Sequence, residues 1–133
     1  MERFHISIYS DFEEFWRYNI IVMSSASVGG EAVELLKSRS DVAPIGASLL
    51  ATPDGYDPNR RIELHHVPAE SLSLYIYVLP HSFPAVPNKD TLPAIADYPP
   101  FGLRVEVKYG DDMRHAHTYE VDQWSGTTIQ VNL

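Results

Sequence analysis

The residues best suited to chemistry are histidines. The chain of 133 residues has six of them and no cysteine. Thiolate metal sites, thiol nucleophiles and disulfides are therefore excluded, which leaves imidazole and carboxylate as ligand types. His115-Ala116-His117 places two imidazoles at i and i+2, positions that share a face on a strand. Two imidazoles with a nearby carboxylate hold a divalent metal, and Glu120 follows three residues on. His65-His66 offers a further imidazole. Adjacent strand residues point to opposite sides, so one of the pair, His66, supplies a third ligand if residues 61–67 lie beside residues 114–121.

Other chemistries are more thinly supplied. Ser82, His115 and Asp97 are the types of a hydrolytic triad, but no Gly-x-Ser-x-Gly elbow exposes a serine. Gly29-Gly30 precedes an expected helix without the Gly-Lys-Ser/Thr pattern of a phosphate loop, and Glu31 would repel the anion. Trp124 stands beside Ser125-Gly126 in an expected turn, and Tyr56 and Tyr98 stand in expected loops. Rings in such places stack on sugars or anchor protein partners. Trp16 belongs to an apolar stripe and reads as core.

The run Gly110-x4-His115-x-His117-x2-Glu120-x5-Gly126 resembles the first conserved motif of cupins, which bind metal with it inside a β-barrel. The resemblance implies a metal-dependent enzyme or small-ligand binder using His115, His117 and Glu120 or His66. Its gaps outside His-x-His are each shorter than the family's. Seven residues follow Gly126, where the family's second motif, with its further histidine, would begin. In a regular strand Glu120 also points away from His117.

The elements that must position these residues are mostly strands. Phe4, Ile6 and Ile8 alternate with polar residues, as do Leu72, Leu74, Ile76 and Val78, then Leu103, Val105 and Val107, then Ile129, Val131 and Leu133. Residues 45–51 and 61–67 are further strand candidates. Helices are expected over 11–20, where Ser10 and Glu13 have capping-box spacing, with 20–22 as the alternative start of a strand, and over 31–39, with acids first and bases last. Residues 80–100 hold six of the ten prolines and read as a long connection. Around Gly110 an odd hairpin loop keeps the apolar face whole. Three loop residues set Val107 opposite His115, and five set it opposite His117 with Arg104 facing Glu120; the charge pair favours five.

The expectation is one domain over residues 1–133: a mainly β, antiparallel sandwich or small barrel with one or two short helices in its first third. The charge of −8 is spread along the chain with no basic block, so no nucleic-acid partner is expected. The longest stretch free of charged residues, 71–88, carries three prolines, so no membrane span is expected. The lack of cysteine and of a signal pattern near Met1 favours a cytoplasmic location. The leading functional reading is a non-catalytic interaction module with a protein partner or a second copy of itself, pairing through the uncharged strand at 127–133. The metal-dependent, cupin-like reading and a carbohydrate-binding reading through Trp124, Tyr56 and Tyr98 are the alternatives.

Overall fold

The computed structural model describes residues 1–44, 49–83 and 98–133. Among them are eight strands: β1 (Arg3–Tyr9), β2 (Tyr18–Val28), β3 (Glu31–Ser40), β4 (Ile62–Pro68), β5 (Ser71–Pro80), β6 (Phe101–Tyr109), β7 (Asp112–Val121) and β8 (Thr127–Asn132). They form two antiparallel four-stranded sheets, in the orders β4-β1-β6-β7 and β3-β2-β5-β8. The sheets pack face to face. Ile6 and Ile8, Ile20 and Val22, Leu74, Ile76 and Val78, and Leu103, Val105 and Val107 are all buried between them, while the intervening residues face outward. Removing these side chains from water is the main favourable term in holding the layers together. No helix among the described residues is long and apolar enough to cross a membrane.

The two expected helices are absent. Residues 11–20 contain a single 3-10 turn, Phe15–Arg17, and β2 begins at Tyr18. The Phe12, Phe15 and Trp16 stripe covers the end of the core where the chain passes from one sheet to the other. Ser10 caps no helix; its Oγ donates to the Gly102 carbonyl at 2.6 Å and accepts from the Phe12 amide. Residues 31–39 are strand because Gly29 and Gly30, with φ of 57° and 82°, form a two-residue turn between β2 and β3. Positive φ at both central residues is what such hairpin turns require, and Gly-Gly supplies it. The strand expected at 45–51 falls partly on residues 45–48, outside the described residues, and 49–51 are not strand.

Two hairpins share one construction. β6 and β7 are joined by Gly110-Asp111, an even turn, and Arg114 is then an extra residue, so Val107 faces His115 rather than His117 and Arg104 faces Thr118 rather than Glu120. The bulge restores the parity that keeps Leu103, Val105 and Val107 on the core face. β2 and β3 repeat the device: after Gly29-Gly30, Val33 is the extra residue. β4 is also interrupted against β1.

The ends of the sandwich are unlike. At one end three two-residue connections (29–30, 69–70 and 110–111) close the strands; at the other start and end all the long ones, 10–17, 41–61, 81–100 and 122–126. Gly126 belongs to the long-connection end. Its φ is +70°, and a Cβ there would meet the Val78 carbonyl oxygen. Gly55 has φ +80° but open space around it. Gly126→Ala is expected to lower the melting temperature by on the order of 10 °C, through a left-handed residue plus a backbone clash. Gly55→Ala should cost a small part of that, and thermal melts of the two variants side by side check the contrast.

Candidate functional site

The loop end is organised by buried polar side chains, starting from the 3-10 turn. Arg60, from the 41–61 connection, donates through Nη2 to the carbonyls of Phe15 and Tyr18, each at 3.1 Å, and through Nη1 to Ser40 Oγ. Its guanidinium lies 4.4 Å from the Phe15 ring centroid. Arg17, 1% exposed, donates to Gln123 Oε1 at 2.6 Å and to Glu14 Oε2 at 3.1 Å. Gln123 passes the link on by donating to the Pro99 carbonyl, and its own carbonyl accepts from Tyr18 Oη. Burial pushes the Tyr18 hydroxyl up to about 12, against the pull of Arg17, so it stays a donor.

His81 occupies the centre of this end. Its Nε2 lies 2.7 Å from the Trp16 carbonyl, which can only accept, so Nε2 carries the proton. Nδ1 then accepts from Ser82 Oγ at 2.7 Å, and Ser82 Oγ accepts from the Leu49 amide. Burial pushes the imidazole below the usual histidine value; the Trp16 carbonyl opposes this, and Arg60 and Arg17 add to it. The neutral form is the one this chain of bonds accommodates.

The structure gathers the expected aromatic residues in part. Trp124 stacks on Phe83 with centroids 5.9 Å apart and meets Tyr98 edge-on at 5.4 Å. Phe83 is 53% exposed, and the sequence reading missed it because nothing local marks its neighbours. Tyr56 lies elsewhere, beside the Arg60 guanidinium, with a buried hydroxyl. Asp122 Oδ1 accepts from the amides of Trp124 and Ser125 and from Ser125 Oγ, which fixes the turn carrying the indole and holds the carboxyl below its usual range.

The four residues read as metal ligands do not converge. His115 and His117 share the face of Val107 and Val105 on edge strand β7, with His115 Nε2 2.9 Å from Tyr119 Oη. Burial, His117 and Arg104 push His115 below the usual value. Glu120, opposite Gly102, is on the other face. His66 is on β4, at the opposite edge of the sheet. There it is 1% exposed, with Nε2 2.7 Å from Ser24 Oγ and Nδ1 2.8 Å from Glu34 Oε1. Ser24, His66 and Glu34 thus have the spacing of a hydrolytic triad, but Ser24 is fully buried and no substrate reaches its hydroxyl. The three side chains tie β2 and β3 to β4 across the core. Of the triad read from sequence, Asp97 lies outside the described residues. Among the described residues one group of three His/carboxylate ligands does come together, His5, Glu63 and His65 on β1 and β4. No local signal finds it, because it depends on the pairing of strands far apart in sequence.

No protein-family model matches the chain, and no curated protein matches it in sequence. Among solved structures it is similar to the crystal structure of a DUF4425 family protein from Bacteroides ovatus, with 8% identity and a TM-score of 0.47, over 99% of this chain and 92% of that one.

The state of His81 sets a pH dependence. Its folded value lies below its unfolded value, so the unfolded chain takes up more protons below about pH 6.5. This contribution is full above that pH and is lost as pH falls through the folded value. The urea midpoint is expected to drop between about pH 7 and pH 5. His81→Gln, which keeps a donor but does not titrate, should lose about 1–3 kcal/mol at neutral pH and show a shallower slope. Urea titrations across that range check both.

Proposed function

We propose that the chain is a non-catalytic recognition module that binds a protein partner through its loop end. The observation that carries this reading is the asymmetry of the sandwich: every long connection starts and ends at one side of it, and the described parts there are pinned by Arg17, Arg60, His81 and Gln123. Loops held by a rigid scaffold are a common place for recognition, and pre-ordering lowers the entropy cost of binding. Trp124, Phe83 and Tyr98 supply an aromatic contact of the kind that anchors protein interfaces. A sugar site also needs polar groups converging beside the ring, and Asp122 Oδ1 is already spent within its own turn.

Peptides selected from a random display library on the native protein test this reading. They are expected to lose most of their binding to Trp124→Ala and Phe83→Ala and to keep it with Tyr75→Ala, on the outward face of β5. Peptides that tolerate both loop-end variants would overturn the proposal. Glycan-array binding that depends on Trp124 would reassign the end to carbohydrate.

A second reading, association of two copies along β8, has its own support. Of the four edge strands, β3, β4 and β7 are each interrupted by a bulge. β8 pairs regularly with β5, has no charged residue, and has no described strand on its other side. Such an edge is a template for another strand. Light scattering is expected to show dimers growing with concentration, and Gln130→Lys should abolish them. Monomer at every concentration removes this reading.

A further inference from the structure

We infer that His5, Glu63 and His65 form a binding site for a divalent transition-metal ion on the outer face of the first sheet, independent of the loop end. His5 on β1 and His65 on β4 are direct cross-strand partners, so their side chains leave the sheet on the same side. Glu63 lies two residues before His65 on that face, opposite Ser7. One ligand atom from each of the three lies within 4.8 Å of the other two. The imidazoles stack with centroids 4.0 Å apart, and His5 Nε2 faces Glu63 Oε2 at 3.7 Å. A tetrahedral zinc site needs its ligand atoms about 3.3 Å apart. Side-chain rotation covers that difference, with the backbone already in register.

Two further observations favour an ion here. His5 Nε2 is buried and makes no hydrogen bond, although it is a ring nitrogen able to donate an electron pair. Glu63 is oriented through its other oxygen: Oε1 lies 3.4 Å from Ser7 Oγ and 3.7 Å from Arg61 Nε, leaving Oε2 toward His5. Outer contacts of this kind hold a ligating carboxylate in place. Two imidazoles and one carboxylate suit zinc, copper or nickel better than magnesium or calcium. His5 and Glu63 border an open hollow of about 240 Å³ that also includes Lys108 and Glu106, and His65 is exposed beside them, so a fourth position is left to water or an anion.

Calorimetric titration of the full, untagged chain with zinc chloride tests the site. A single equivalent should bind. Glu63→Gln, which keeps the side chain's shape, and His65→Ala, on an exposed edge, should each weaken binding at least about tenfold. The paired substitution His115→Ala and His117→Ala should leave it unchanged. Cobalt in place of zinc should give the visible absorption of a low-symmetry site in the native chain and lose it in Glu63→Gln. The inference is overturned if native protein takes up no zinc, if Glu63→Gln binds as the native chain does, or if the His115/His117 pair carries the binding.

Discussion

Four consecutive carbonyls, from Phe15 to Tyr18, are the point on which the loop end depends. Here the chain leaves the first sheet for the second, and three of the four residues precede the start of β2. A buried carbonyl left unpaired costs about 1–3 kcal/mol, so donors must come from elsewhere. Arg60 serves Phe15 and Tyr18, His81 Nε2 serves Trp16, and the amides of His81 and Ser82 serve Arg17 at 2.9 and 3.4 Å. Those donors stand at the end of one other connection and the start of another. One short turn therefore bonds to the described ends of two other connections, at Arg60 and at His81-Ser82. Burial pulls Arg60 below its usual value, yet a guanidinium starts so high that it remains charged, and its bonds to carbonyls are of the stronger, charge-assisted kind.

The opposite end obeys a simpler constraint, parity. A two-residue turn is compact, but in a regular ladder it would leave one face of a hairpin mixed. A bulge placed three residues into the outer strand, at Val33 and again at Arg114, adds the missing residue. The same feature disrupts the edge against foreign strands. Tight turns and protected edges thus arise together, and β8, which follows a longer connection and needs no correction, is the edge left regular.

These constraints explain what was legible in the sequence. β1, β5 and β6 are legible because each carries a strict two-residue period that needs no partner to interpret. The entry to β2 is hidden because Phe12, Phe15 and Trp16 mimic a helical stripe while covering the crossing between sheets. Glu31, Glu34, Lys37 and Arg39 likewise mimic charges ordered along a helix dipole. Gly29-Gly30 was the available signal against both helices. That His115 and His117 share a face followed from alternation alone. Whether His66 joins them is a question of strand order, and alternation does not encode order. The same gap hid His5 and His65, and it hid the partners of Arg17 and Gln123 at the loop end.

Strand order also separates geometry from function. Ser24, His66 and Glu34 show hydrogen-bond distances that would draw attention in any cleft, yet they sit where β2, β3 and β4 meet between the sheets. A hydroxyl activated by an imidazole matters only if a reactant can approach it, and Ser24 is sealed. Buried polar groups in a core this apolar have to be satisfied, and Ser24 and His66 are, with the half-buried Glu34 completing a chain of bonds across three strands. A nucleophile, its base and an orienting carboxylate are arranged the same way for a different reason. Burial decides between the two, and in this sandwich it turns the triad-like group into a clasp between the sheets.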